Sequence, residues 1–125
     1  MSTLKVATIQ DTSGNNSSTP AQVAQGRAKA WINFNGTGTV SIRDDFNFSS
    51  VTDNGTGLYT LNFTSALANA NYAVVPGGTR DLPESSRCFP ANIDQISTSS
   101  FDLSTHNDGS TSVDWELVTC AVFGD

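Results

Sequence analysis

The side chains able to carry chemistry are few and scattered. His106 is the single histidine of the chain. One imidazole can act as a general base or as one metal ligand, but it cannot build a His-rich metal site. No Gly-x-Ser-x-Gly elbow or His-Glu-x-x-His pair accompanies it, and no Gly-rich phosphate loop precedes a helix. Two carboxylate pairs stand out: adjacent Asp44 and Asp45, and Asp114 with Glu116 two residues on. Glycoside hydrolysis needs two carboxyl groups facing across a cleft about 5–9.5 Å apart. Two on one strand face do not make a cleft. Cys88 and Cys120 match no zinc spacing and are too few for a disulfide framework. They read as reduced, buried thiols, and a bond between them would need an oxidising compartment. The expectation is a protein without catalytic residues, metal or cofactor.

Recognition chemistry fits better, and two polar segments can carry it. Thr79 to Arg87, TRDLPESSR, is the most charged stretch, with Arg80, Asp81, Glu84 and Arg87 around Pro83. His106, Asn107 and Asp108 open a second polar turn before Gly109. Both read as exposed loops, and loops on a rigid sheet often carry binding. Large aromatic faces for stacking on a ligand are Trp31, Trp115 and Tyr72. Net charge is −6 and the isoelectric point near 4.4. With the six Lys and Arg scattered, nucleic acid and anionic membrane surfaces are poor partners. No apolar run reaches membrane-spanning length, and the N-terminus has no apolar signal core, so export by the general secretory route is not expected.

These loops need a scaffold, and Ala28 to Phe63 specifies it. Asn-Gly-Thr-Gly occurs twice there, at 35–38 and 54–57, each time between apolar runs. Asn-Gly between alternating runs is a strong hairpin signal, because both residues tolerate a positive φ. Two consecutive hairpins follow. The first strand is expected over 29–34 and the second over 39–43, with Val40 and Ile42 on one face. Asp44-Asp45 reads as a corner or bulge. The third strand covers 46–51, with Phe46 and Phe48 on one face. The fourth covers 58–64, with Tyr59, Leu61 and Phe63 inward. A fifth, 72–75, ends at Pro76-Gly77-Gly78. Residues 88–93 and 96–105 supply further strands, the latter with Phe101 and Leu103 inward. Short alternating strands with regular turns indicate an all-β antiparallel sandwich of seven to eight strands.

The final run, Ser112 to Phe123, is apolar on two faces. Val113, Trp115, Leu117, Ala121 and Phe123 share one. Val118, Cys120 and Val122 share the other. The first is expected in the core. The second, together with Trp31, is expected to form an oligomer interface, since a lone sandwich should keep its outer face wet.

Residues 1–27 form a separate arm. Leu4 to Ile9 suggests a short edge strand, and 11–18 (DTSGNNSS) is too polar to order itself. Thr19-Pro20-Ala21-Gln22 reads as the capping box of one short helix that Gly26 ends. The domain division is therefore 1–27 for the arm and 28–125 for the sandwich.

Several phrases carry a resemblance. SGNNSSTPAQVAQ at 13–25, GRAKAWINFNGTG at 26–38, the stretch 48–63, NANYAVV at 69–75 and the ending Val122-Phe123-Gly124 resemble small tail-fibre-type structural proteins of tailed bacteriophages, of the marine and cyanobacterial phage type. The 59–63 and 69–75 phrases are also similar, more distantly, to trimeric fibre tips and H-type lectin sandwiches. The resemblance implies a jelly-roll or H-type-lectin-like sandwich, a virion location and a homotrimer. It also implies contact with other virion proteins through residues 1–27, and binding to host-surface glycans. It offers no catalytic motif to carry over. The chain departs from a long fibre in lacking a shaft, so attachment falls to the arm. Alternatives are a purely structural capsid decoration or adaptor, and a polysaccharide-degrading enzyme with its site between subunits.

Overall fold

The computed structural model describes residues 1–81, 92–108 and 110–125. After the helix α1 (Pro20–Gly26) come β1 (Ala30–Asn35), β2 (Ser41–Phe46), β3 (Phe48–Gly55), β4 (Leu58–Phe63), β5 (Ala73–Thr79), β6 (Asn92–Asp94), β7 (Ser100–Ser104) and β8 (Leu117–Phe123). They form two four-stranded antiparallel sheets, ordered β2-β1-β8-β5 and β3-β4-β7-β6. The fold is an all-β sandwich, as the alternation and turn pattern indicate.

Both expected hairpins form, one in each sheet: β1 pairs with β2, and β3 with β4. In neither turn does the asparagine take the positive φ. Gly38, Gly55 and Gly57 take it. Asn35 instead accepts the Thr37 amide at 2.9 Å and its hydroxyl at 2.7 Å, an Asx turn closing the first loop.

The chain changes sheets at one residue. β2 ends at Phe46, β3 begins at Phe48, and Asn47 between them has φ +61°. Its side-chain amide donates to the Lys29 and Ser65 carbonyls, both at 3.2 Å, and its oxygen accepts the Ser65 amide at 2.8 Å. Of the corner or bulge expected at Asp44-Asp45, the bulge is present and the corner is at Asn47. Those aspartates lie within β2, beside a bulge where the register skips Arg43. The turn at Asn47 also separates Phe46 from Phe48: Phe48 is buried, whereas Phe46 and Ile42 are exposed on an edge strand.

The inner faces supply a continuous core. Ile32 and Phe34 from β1, Tyr59, Leu61 and Phe63 from β4, Phe101 and Leu103 from β7, and Trp115 are all buried. Phe48, Phe63, Tyr72 and Phe101 cluster at one end with ring centroids 5.0–6.2 Å apart. Val118, Cys120 and Val122 are 0%, 4% and 0% exposed and belong to this same core. Their assignment to an oligomer interface is corrected: they point into the sandwich, and Leu117, Ala121 and Phe123 lie on the other face. The reason is a break in the ladder. Residues 113–116 are not strand, so Trp115 turns inward without fixing the phase of β8. β5 is longer than expected and runs through Pro76, which an edge strand tolerates.

In the arm, α1 has the expected capping box: Gln22 N donates to Thr19 Oγ1, and Thr19 N to Gln22 Oε1. The strand expected at 4–9 is reduced to one bridge, Ile9 with Ser18. The polar loop between them is ordered by Asp11, whose Oδ1 accepts the Ser13 and Asn15 amides while Oδ2 accepts Asn16 Nδ2. No residue of the arm is fully buried.

Candidate functional site

Trp115 and Glu116 organise one end of the sandwich. The Trp115 indole N–H donates to the His106 carbonyl at 3.2 Å, and the Glu116 amide donates to the Arg80 carbonyl at 2.9 Å. Two segments singled out from the sequence, at Arg80-Asp81 and at His106-Asn107-Asp108, are thus brought to the same end. Arg80 and Asp81 form an exposed ion pair at 3.7 Å, a contact of little energetic weight. Asn107 shapes its turn: its backbone amide donates to the Thr111 carbonyl and its side chain accepts the Thr111 amide. His106 acts here through its backbone, bridging Ser112. Glu84, Arg87 and Cys88 lie outside the described residues.

The two Asn-Gly-Thr-Gly loops are tied together below this end. Asp114 Oδ1 accepts the Gly57 amide at 2.7 Å and lies 3.0 Å from the Tyr59 hydroxyl, which also lies 3.0 Å from the Gly36 carbonyl. Burial, reinforced by the Asp114 carboxylate, holds the Tyr59 phenol well above the usual tyrosine range. This carboxylate is structural, a staple between loops. Asp44 and Asp45 lie on β2, outside this staple.

Among the described residues, the outer face of the second sheet carries the most site-like feature. Two rows of paired residues run across it: Thr52–Thr60–Asp102–Asp94, and Gly55–Leu58–Ser104–Asn92. Leu58, Thr60, Asp102, Asp94, Ser104 and Asn92, with Asn54, border a hollow of about 470 Å³, a volume typical of small-ligand sites. A directed chain of hydrogen bonds crosses it. Asn54 Nδ2 donates to Thr60 Oγ1 at 2.8 Å, and Thr60 Oγ1 donates to Asp102 Oδ1 at 2.6 Å. Asp102 is directly opposite Asp94 in the ladder. Like charges so placed repel, and a hydroxyl or cationic donor between them would relieve that. Leu58, exposed in the same hollow, offers an apolar contact. Acceptors and amides around an apolar patch suit a polyhydroxylated ligand. Among the described residues no group of three or more His, Cys, Asp or Glu is placed to hold a metal ion.

Sequence reasoning passes over this hollow. The outward direction of Asp102 follows from inward Phe101 and Leu103, but its neighbours come from strands whose pairing is not local.

The outer face of the first sheet is different. Trp31 points outward there, and the ladder places Phe46, Trp31, Ala121 and Val75 side by side across all four strands. Of the residues assigned to an interface from the sequence, Trp31 alone is on this surface.

Comparison with family models, with curated proteins and with solved structures gave no match. No helix among the described residues is long and apolar enough to cross a membrane.

Proposed function

We propose that this chain is a surface module of a tailed-phage virion, a fibre tip or similar appendage, that uses the hollow on its second sheet to recognise host-surface glycans. The resemblance of the sequence to tail-fibre-type proteins supports the location. The observation that carries the recognition is the Asn54–Thr60–Asp102 relay beside Asp94 and Leu58. It presents acceptors to sugar hydroxyls and an aliphatic patch to a sugar's C–H face. Two carboxylates would repel sialic or uronic acids. The expected ligands are neutral or amino sugars. Display in three copies, as the resemblance implies, would raise the avidity of a weak single site.

Glycan-array binding of the purified chain, followed by titration of the best hit, tests this. Asp102→Asn should keep the fold and weaken binding at least about tenfold, a loss of about 1.4 kcal/mol. No binding to any neutral or amino sugar, or equal binding by Asp102→Asn, would refute it. The second reading, a purely structural adaptor, draws on the arm, whose apolar side chains stand exposed.

A further inference from the structure

Among the described residues, two apolar surfaces stand exposed. The first is the row Phe46–Trp31–Ala121–Val75, which spans three strand spacings, about 14 Å. Phe46, Trp31 and Val75 are 52%, 40% and 57% exposed. The second is in the arm, where Leu4, Val6, Ile9, Pro20, Val23 and Ala24 line an open hollow of about 530 Å³. Leu4, Val6, Ile9 and Val23 are among the exposed large hydrophobic residues. Contiguous apolar patches of this kind mark contact surfaces.

The arm does not cover its own sheet. Lys29 N donates to the Val122 carbonyl at 2.7 Å, continuing the β1–β8 ladder, and Gln25 Nε2 bonds Asp125 Oδ1. These contacts hold α1 at the end of the sandwich, with the row beside it still exposed. Arg27 borders both the arm's hollow and a shallow depression beside Phe46, so the two surfaces are neighbours along one side of the molecule.

Charge favours the same pairing. Lys5 and Arg27 outnumber Asp11 in the arm, whereas the sandwich carries eleven of the twelve carboxylate side chains. Lys5 and Arg27 rim the arm's hollow, while Asp44 shares the row's face with Phe46 and has Arg43 beside it at Asn33. An arm therefore matches the row as one apolar surface to another, and it is opposite to the sandwich as a whole in net charge.

We infer that the arm of one copy docks on the Phe46–Trp31–Val75 row of a second copy, a head-to-tail contact that closes into a ring. A heterologous contact of this type generates a cyclic assembly when the rotation closes. The ring rests on the multicopy display proposed above but not on glycan binding, which uses the opposite sheet.

The test uses the full-length chain and two variants on exposed side chains. Val75→Asp spoils the row, and Val23→Asp spoils the arm. Each keeps one surface intact. By sedimentation velocity, the wild type should be an oligomer at about 100 µM, and each variant should associate at least about tenfold more weakly. Mixed together, the two variants should form a one-to-one heterodimer and nothing larger, because only one intact pair of surfaces remains. Trp31 emission should shift to the blue in that mixture, Trp115 being buried throughout. Phe46→Asp with Ile9→Asp serves as a second pair should either first variant fail to fold. A monomeric wild type would overturn both the ring and the multicopy display. An oligomer indifferent to these substitutions, or variants that do not complement each other on mixing, would overturn the head-to-tail contact alone. Glycan titration of the variants reads the other sheet separately.

Discussion

The Tyr59 hydroxyl lies 3.0 Å from Asp114 Oδ1, and through that pair the loop before β4 is joined to the segment before β8. Tyr59 comes from a hairpin in one sheet, and its hydroxyl also reaches Gly36, in the hairpin of the other. Gly36 has no room for a side chain there, since an added Cβ would collide with the phenol. Tyr59→Phe and Asp114→Ala should each cost about 1–3 kcal/mol, the range for losing a hydrogen bond to a charged or buried group. The double variant should cost less than the sum, because both act through one contact. Urea unfolding of the three proteins measures this, and strict additivity would show that the pair is not coupled.

Asn47 gives a second, separable prediction. Asn47→Gly keeps the positive φ and removes three side-chain hydrogen bonds. Asn47→Ala removes the bonds and adds backbone strain of about 1–2 kcal/mol. The alanine variant should therefore have the lower midpoint. Equal midpoints would place the whole cost in the hydrogen bonds.

Leu61 is wholly buried in the core. Leu61→Ala should cost about 2–5 kcal/mol, from lost transfer energy plus the cavity left behind. A loss below about half a kcal/mol, the usual range at surface positions, would contradict its inward position.

Alkaline stability follows from Cys120. Burial pushes its thiol from 9.0 up to about 12. The folded state thus holds this proton where the unfolded chain has released it, so stability is intact below pH 9.0 and falls as pH rises toward 12. Burial shifts Tyr59 and Tyr72 in the same direction, adding to the loss above the ordinary tyrosine value of 10.0. Thermal midpoints of the wild type and Cys120→Ala should converge as pH rises through this window. Parallel curves would show that the thiol is not the titrating group.

Much of the fold can be read from the residues. Tyr59, Leu61 and Phe63 alternate with Thr60 and Asn62, which fixes both the strand and its inward face. The capping box sets the helix, and the repeated Asn-Gly-Thr-Gly marks two hairpins. β8 defeats the same reasoning, because Leu117 to Phe123 is largely apolar on both faces and alternation then carries no phase. Trp115 does not supply it, because the ladder breaks before Leu117; the phase comes from the pairing of β8 with β1 and β5. Asn47 escapes notice for another reason: one left-handed residue redirects the chain without any glycine or proline to announce it. The hollow at Asp102 and Asp94 depends on β6 lying beside β7, a pairing set by tertiary packing.

The position of β8 has a consequence for synthesis. β8 lies between β1 and β5 in the first sheet, hydrogen-bonded to both. Until residues 117–123 have been made, β1 has no neighbour on that side and β5 has none at all in its sheet. A chain stopped before β8 can form the β1–β2 and β3–β4 hairpins but leaves β1 and β5 without the strand that joins them. Such a chain presents an open β1 edge, the kind that recruits other strands. Synthesis of β8 is the step that closes this edge, and until then the chain is exposed to aggregation.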